Sequence, residues 1–124
     1  MLERTRLLIV DDEAPLLRLM KAYLERVGYE VDTCADAANA FDCLSAEAKW
    51  QAAILDLSLI AGRDDIIRLA RRSPGLRVLV CSGSPFEVDA LPADIRSRCS
   101  FLQKPFLPKM LLDAVEELLA RTPA

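Results

Sequence analysis

Ala52-Ala53-Ile54-Leu55-Asp56 is a run of four apolar residues that ends on a carboxylate. A short apolar run with little polar alternation is typical of a strand that is buried on both faces, as in the middle of a parallel sheet. Asp56 is therefore expected at the carboxyl end of that strand, the edge at which open α/β sheets bind their ligands. A carboxylate in this place could coordinate a metal, act as a base or attack an electrophile.

The same arrangement recurs near the beginning of the chain. Residues 7–10 form another apolar run, and Asp11 and Asp12 follow it directly. Three more strands are predicted, at residues 30–34, 76–81 and 101–103. The fourth strand along the chain leads into Ser82, and the fifth leads into Lys104. Charged or hydroxyl side chains thus follow the first, third, fourth and fifth strands.

The segments between the strands carry apolar residues at helical spacing. Pro15 suits the first turn of the first helix, and Gly28 is expected to stop that helix. The predicted buried stripes are Leu16, Met20, Tyr23, Leu24 and Val27; Ala40, Phe41, Leu44 and Ala48; Ile66, Ile67, Leu69 and Ala70; and Leu111, Leu112, Val115, Leu118 and Leu119. The fourth segment is interrupted by prolines and allows only a short helix at residues 86–91, with a second turn near residues 94–98.

Five strands that alternate with five helical segments predict a doubly wound α/β fold. In such a fold, right-handed crossovers connect the strands of a parallel sheet and place helices on both of its faces. The 124 residues have the size of one domain, and no linker, repeat or low-complexity tract divides them. A single domain over residues 1–124 is expected.

Composition and charge narrow the range of partners. Sixteen basic residues against nineteen acidic ones give a net charge of -3, and the basic residues are spread along the chain. Direct binding of nucleic acid by this chain is therefore disfavoured. No apolar stretch approaches the ~20 residues of a membrane span, and no signal-peptide pattern opens the chain. A cytoplasmic protein without a membrane partner is expected.

The cysteines and the absence of histidine exclude several chemistries. The four cysteines are widely spaced, and no histidine is present to complete a zinc site with them. Free, mostly buried thiols in a reducing compartment are the expected state. Without histidine, any Ser-His-Asp or Cys-His mechanism is excluded, as is a phosphohistidine intermediate on this chain.

The residues at the predicted edge of the sheet suit a magnesium ion and a phosphoryl group. Asp11, Asp12 and Asp56 would crowd together there and repel one another unless a cation balanced them. Mg²⁺ prefers oxygen ligands and typically binds one or two carboxylates together with phosphate oxygens. Lys104 and Ser82 would supply the hydrogen-bond donors that a bound phosphoryl group requires.

These motifs, in this order, resemble the response-regulator receiver domain of two-component signalling. The pattern is Asp-Asp after the first strand, Asp after the third, Ser-Gly after the fourth and Lys-Pro after the fifth. Each element alone occurs by chance in many proteins, but all of them together over the whole chain make a strong signal. The resemblance implies a flavodoxin-like sheet with strand order 2-1-3-4-5.

The resemblance also implies the chemistry of the site. Asp56 would be the phosphoacceptor, which forms an acyl phosphate by attacking a phosphohistidine on a sensor histidine kinase or phosphotransfer protein. Mg²⁺ would be bound by Asp12 directly, by Asp11 largely through water, by Asp56, and by the backbone carbonyl of Ser58. The chain would be a signalling domain rather than an enzyme, although it takes part in its own phosphorylation and dephosphorylation.

Further roles follow from the same resemblance. Ser82 would donate its hydroxyl to the phosphoryl group, and Lys104 would pair with that group. Phe101 stands where the family has its switch aromatic, which turns inward when the hydroxyl moves toward the phosphate. Pro105 matches the family's cis proline, which would aim Lys104 into the site. Phosphorylation would alter the surface formed by the fourth helix, fifth strand and fifth helix, where a downstream protein or a second receiver would bind.

The loop after Asp56 departs from the family pattern. Receivers usually have a proline four residues beyond the acceptor and a glycine eight beyond, whereas Ile60 and Asp64 occupy these positions and the glycine is Gly62. The conformation of this loop, and with it Mg²⁺ affinity or partner preference, is the part of the site that the resemblance predicts least.

Three other classes compete with this interpretation. Haloacid-dehalogenase phosphatases also use an aspartate nucleophile after a strand, but they need a second aspartate two residues later, where this chain has Ser58. A flavodoxin-type protein needs a first loop that cradles phosphate, which Asp11 and Asp12 would repel. A receiver that only docks proteins without being phosphorylated would normally have lost the acceptor or the lysine, and both are present.

No output domain is evident after the last helix. We therefore expect the signal to pass through a partner, through dimerisation, or through a parent polypeptide from which this segment was cut. The sequence names neither the kinase nor the target.

Overall fold

The structure is a computed structural model and describes residues 4–36, 38–39, 42, 50–60 and 62–121. The strands are β1 (Arg6–Val10), β2 (Glu30–Cys34), β3 (Ala52–Asp56), β4 (Arg77–Ser82) and β5 (Cys99–Gln103). The described helices are α1 (Ala14–Arg26), α2 (Arg63–Arg72), α3 (Ala93–Arg96) and α4 (Pro108–Ala120), and 3-10 turns span Leu57–Leu59 and Val88–Ala90. The stripe predicted at Ala40, Phe41, Leu44 and Ala48 lies outside the described residues, so α2, α3 and α4 are the third, fourth and fifth predicted helices.

All five strands are parallel, in the order β2-β1-β3-β4-β5. This confirms the doubly wound α/β fold and its strand order. The register places Val10 opposite Leu55 and Asp56 opposite Cys81, so β1, β3 and β4 end at nearly the same level. The residues that follow these strands therefore emerge together at one edge of the sheet.

The alternation of side chains along the strands explains why the central strands carry apolar residues at both odd and even positions. Odd and even positions of β1 and β3 face opposite sides, and each side is covered by helices, so every residue of β3 is buried. One layer lies under α2 and α3 and includes Leu8, Val10, Ala53, Leu55, Ile66, Leu69 and Ile95. The other lies under α1 and α4 and includes Leu7, Ile9, Ile54, Met20, Leu24, Leu111, Val115 and Leu118.

Helix α1 begins and ends largely as its sequence predicts. Pro15 lies in its first turn, and Gly28 adopts a positive φ of 111° just beyond its end, a conformation that favours glycine. The prediction that Val27 belongs to the buried stripe is wrong, because the helix stops at Arg26 and the Val27 side chain is 49% exposed.

The predicted helix at residues 86–91 is also wrong. The chain instead makes the 3-10 turn Val88–Ala90, and α3 follows it as a single turn. Pro92 disfavours the helical conformation of the residue before it, and Leu91 is accordingly extended with ψ 153°. The second predicted turn, near residues 94–98, corresponds to α3.

Two arginines fasten the edge of the sheet opposite the carboxyl ends of the strands. Arg98 donates three hydrogen bonds of 2.9 to 3.2 Å to the backbone carbonyls of Ala70, Ser73 and Leu76. Arg121 donates to the carbonyl of Cys99 (2.8 Å) and accepts a bond from Arg77 at its own carbonyl (2.7 Å). These bonds tie the ends of α2 and α4 to the start of β5.

Within the described ranges, no helix has the length and apolar character needed to cross a membrane.

Candidate functional site

Three carboxylates converge at the carboxyl ends of β1 and β3. Asp11 and Asp56 are buried, with 2% and 4% of their surface exposed, whereas Asp12 is exposed. One carboxylate oxygen of each lies within 4.8 Å of the others. The parallel register produces this convergence, because both strands end at the same level of the sheet. Three oxygen donors at such spacing form a set that suits a hard cation such as Mg²⁺.

Lys104 reaches this cluster from the loop after β5. Its Nζ atom lies 2.9 Å from Asp11 Oδ2, 3.4 Å from Asp56 Oδ2 and 3.5 Å from Glu13 Oε1. The backbone N–H of Lys104 donates to the carbonyl of Ser82 (2.8 Å), which fixes the loop against the end of β4. One ammonium group thus balances two buried carboxylates at once.

The surroundings of Lys104 keep it charged. Burial of the side chain would lower its pKa, but the hydrogen bond that Lys104 donates to Asp11 and the negative charges of Asp11, Asp56 and Glu13 outweigh burial and hold the pKa well above its usual range. Lys104 is therefore a permanent cation in the site at any physiological pH.

The two oxygens of Asp56 have different environments. Oδ1 accepts hydrogen bonds from the backbone N–H of Ser58 (3.1 Å) and from the Ser58 hydroxyl (2.9 Å). Oδ2 faces Lys104. The 3-10 turn after β3 creates this asymmetry, because Asp56 caps it with its side chain.

Ser82 lies at the rim of the same site. Its Oγ atom accepts a hydrogen bond from the backbone N–H of Ser84 (3.0 Å). A cavity of about 590 Å³ opens above the site and is lined by Glu13, Leu16, Asp56, Ser58, Ser82, Gly83, Lys104, Pro105 and Phe106. The cavity brings the predicted acceptor, hydroxyl and lysine together, with an apolar wall on one side.

Phe101 lies in β5 and does not line this cavity. It is half-buried, and its ring lies against that of Phe86 at a centroid distance of 6.4 Å and an interplanar angle of 47°. Phe101 instead lines a second cavity, together with Phe86. The peptide bond between Lys104 and Pro105 is cis.

Two features of the site were not predicted from the sequence. The carboxylate of Glu13 lies 3.5 Å from the Nζ atom of Lys104, although the sequence assigned Glu13 no role in the site. The Ser58 hydroxyl binds Asp56, whereas only the Ser58 carbonyl had been assigned a role. The second could have been found, because an aspartate side chain in a turn commonly accepts from the backbone N–H two residues later, which brings the hydroxyl of Ser58 close to Asp56.

Comparison with known proteins agrees with the fold. Residues 7–116 match the model of the response regulator receiver domain. The chain therefore belongs to the response regulator receiver domain family, the signalling domains of two-component systems.

Several relatives of known structure or function are similar over most of this chain. The transcriptional regulatory protein ResD of Bacillus subtilis is 29% identical over 119 residues, which cover 94% of this chain and 49% of that protein. A CheY-like receiver domain protein of Methanospirillum hungatei has 25% identity and a TM-score of 0.78, with 94% of both chains covered. A response regulator of Burkholderia pseudomallei, solved with a phosphorylated aspartic acid, a calcium ion and citrate, has 26% identity and a TM-score of 0.71, covering 94% of this chain and 73% of that one. The chain spans about half the length of the curated relatives it matches.

Proposed function

We propose that this chain is a phosphoacceptor receiver in which Asp56 takes a phosphoryl group from a phosphohistidine of a sensor histidine kinase or phosphotransfer protein. The observation that carries the proposal is the environment of Asp56. Its carboxylate is buried at the end of the central strand, Oδ1 is held by Ser58, and Oδ2 faces Lys104. A carboxylate fixed in this way presents one oxygen to an incoming electrophile.

In the proposed transfer, Oδ2 of Asp56 attacks the phosphorus atom. The new O–P bond forms as the P–N bond to the donor imidazole breaks, and the imidazole leaves with the bonding electron pair. Lys104 lies beside Oδ2 and would donate a charge-assisted hydrogen bond to the transferred group. Ser82 lines the same cavity and would turn its hydroxyl toward the phosphoryl oxygens.

The donor set fits Mg²⁺, and Asp11, Asp12 and Asp56 would bind it together with the backbone carbonyl of Ser58. When bound, the ion would neutralise the charge that develops on the phosphoryl oxygens. The site supports this assignment because one oxygen of each carboxylate already lies within 4.8 Å of the others. The calcium ion and the phosphorylated aspartic acid of the Burkholderia relative are consistent with such chemistry in a similar fold.

The proposed consequence of phosphorylation is a change at the surface formed by α3, β5 and α4. Ser82 would leave its contact with the Ser84 N–H, and Phe101 would turn inward from its contact with Phe86. The acyl phosphate would thereby bias two arrangements of one surface, to which a downstream protein or a second receiver binds.

The proposal extends to the setting of the domain. We propose that residues 1–124 form one receiver domain of a cytoplasmic protein. The protein does not bind a membrane, and this domain does not bind nucleic acid. The proposal concerns this domain alone, because the similar relative ResD is a transcriptional regulatory protein of about twice the matched length.

Incubation with acetyl phosphate, with and without Mg²⁺, tests the proposal. We expect Mg²⁺-dependent, base-labile addition of a phosphoryl group at Asp56, located by mass spectrometry of peptides. Asp56→Asn should abolish the labelling, whereas the control Asp64→Asn, an exposed acid in the first turn of α2, should retain it. A folded wild-type protein that binds Mg²⁺ but takes no label would instead indicate a docking module that is not phosphorylated.

A further inference from the structure

A second cavity lies beside β5, away from the cluster of carboxylates. It has a volume of about 490 Å³ and is lined by Phe86, Glu87, Val88, Asp89 and Phe101. The 3-10 turn Val88–Ala90 forms one wall, and the tilted pair of aromatic rings forms another. The segment between β4 and β5 is occupied here by a 3-10 turn and the single turn of α3, not by a continuous helix.

The cavity combines aromatic rings with unpaired negative charge. Glu87 and Asp89 are exposed, and neither carboxylate forms an ion pair or hydrogen bond with any part of the chain that the structure describes. The Arg96 guanidinium donates to the backbone carbonyl of Asp89 (3.2 Å) rather than to its carboxylate. Both carboxylates therefore remain available to a charged group from outside.

We propose that this cavity binds an arginine side chain of a protein partner. A planar guanidinium can stack on an aromatic face while its N–H groups form paired hydrogen bonds to carboxylates, and no other side chain combines these contacts. A lysine ammonium would use the charge without the planar stacking, and an apolar side chain would leave both carboxylates without partners.

The cavity is connected to the acceptor site by a short path. Ser82 Oγ accepts from the Ser84 N–H, and the chain reaches Phe86 two residues later, where the ring contacts Phe101. A Ser82 hydroxyl that turns toward a phosphoryl group gives up this acceptor position and frees the segment that carries Phe86. If Phe101 then turns inward, the cavity loses one of its two aromatic rings. The bound arginine should therefore be released when Asp56 is phosphorylated, a step that rests on the proposed function.

Binding is tested first on the unmodified protein by amide chemical shifts in NMR, with N-acetylarginine amide as the probe and N-acetylcitrulline amide as its neutral counterpart of the same shape. We expect saturable shifts at residues 86–89 and 101 with the arginine probe, with a dissociation constant on the order of millimolar for so small a ligand. The double variant Glu87→Gln, Asp89→Asn should bind about tenfold more weakly. Glu116→Gln, which removes an exposed charge on α4, should bind as the wild type does.

Three results would overturn the arginine site. Equal shifts with the citrulline probe would show that charge plays no part, and shifts that do not saturate or lie elsewhere would show that the cavity is not the site. Shifts at the same residues that depend on protein concentration without any probe would assign the cavity to a second copy of this chain.

The coupling is tested by adding beryllofluoride, a phosphoryl mimic, together with Mg²⁺. The affinity for the arginine probe should fall about fivefold or more in the wild type and stay unchanged in Ser82→Ala. Unchanged or tighter binding in protein whose Asp56 amide has shifted would refute the coupling. An Asp56 amide that does not respond to beryllofluoride would count against the proposed function and leave arginine binding itself intact.

Discussion

The Nζ atom of Lys104 lies 2.9 Å from Oδ2 of Asp11, although 93 positions separate the two residues in the chain. Both side chains are largely enclosed, with 15% and 3% of their surfaces exposed. Asp56, which is 5% exposed at its side chain, shares the same ammonium group. Both buried acids depend on the same cation. The stability of this edge of the sheet is therefore determined by the balance of charge rather than by packing.

Replacing Lys104 with Met should destabilise the protein more in EDTA than in Mg²⁺. In EDTA the variant leaves two buried carboxylates without a counter-charge, which we expect to cost about 3 kcal/mol of unfolding free energy. A bound cation would restore the balance and recover much of this loss. Urea unfolding in both conditions measures the difference, with the exposed Lys109→Met as the matched control. A loss of equal size in both conditions would contradict the charge argument.

The Lys104→Ala variant should still accept some phosphoryl label at Asp56 but fail to pass the signal on.

Added Mg²⁺ should stabilise the wild-type protein and not the Asp12→Asn variant. Binding to the folded state alone adds about 2.7 kcal/mol at one hundred times the dissociation constant. Asp12 is exposed, so its replacement should change the stability of the metal-free protein little while removing one oxygen donor. Thermal unfolding over a range of Mg²⁺ concentrations provides the measurement, with Asp113→Asn on α4 as the control for charge at a distance. Equal stabilisation of Asp12→Asn and the wild type would remove Asp12 from the metal site.

Alkaline pH should destabilise the fold in part through Cys99. Burial raises the pKa of this thiol from 9.0 to about 11, against the opposing charges of Arg98 and Arg121. The folded state then keeps a proton that the unfolded state loses above pH 9, so the contribution to stability is complete below that pH and declines as pH rises toward 11. The full loss corresponds to roughly 2 to 3 kcal/mol. Cys99→Ala should flatten the pH dependence of urea unfolding in this window, and an unchanged slope would contradict the assignment.

Thiol labelling offers an independent check on the same burial. In the native protein at pH 8, Cys99 should resist iodoacetamide while the half-buried Cys34 reacts, as read from labelled peptides. Rapid labelling of both in folded protein would show that β5 opens more readily than its burial indicates.

Replacing Arg98 with Met should lower the unfolding free energy by about 3 kcal/mol, because three carbonyl groups near the end of α2 lose a charged donor. The exposed Arg72→Met, in the same region and with the same change of charge, should have little effect. Urea unfolding of the two variants compares them directly, and similar losses in both would point to net charge rather than to the lost bonds.

The sequence predicted the sheet and most of the site because these follow from short-range patterns. The apolar runs before Asp11 and Asp56 mark buried strands, and parallel strands bring their carboxyl ends together, so the approach of these acids could be inferred without coordinates. The residues that follow the fourth and fifth strands indicated Ser82 and Lys104 as donors to a phosphoryl group, the family resemblance made their roles specific, and the structure places both at the cavity over Asp56. Those roles remain predictions.

The predictions from the sequence were wrong where the local conformation depends on more than the spacing of apolar residues. The spacing of apolar residues extends the first helical stripe to Val27, but the glycine that follows ends the helix earlier and leaves that side chain exposed. Between Pro85 and Pro92, too few residues can donate helical hydrogen bonds for a continuous helix, and the chain takes a 3-10 turn. The contact of Glu13 with Lys104 depends on side-chain reach across the site, which spacing along the sequence does not encode.

The bonds that hold the two edges of the sheet differ in what can break them. At the carboxyl edge, carboxylates and an ammonium group hold the loops together, and these respond to metal ions and phosphoryl groups. At the opposite edge, Arg98 and Arg121 donate to backbone carbonyls, which do not titrate and which lie at the end of the strands away from the cluster of carboxylates. The end of the sheet held by Arg98 and Arg121 should therefore stay fixed when ligands bind at the carboxyl end. Amide resonances near these arginines can act as an internal reference, against which ligand-induced movement at the carboxyl end is measured.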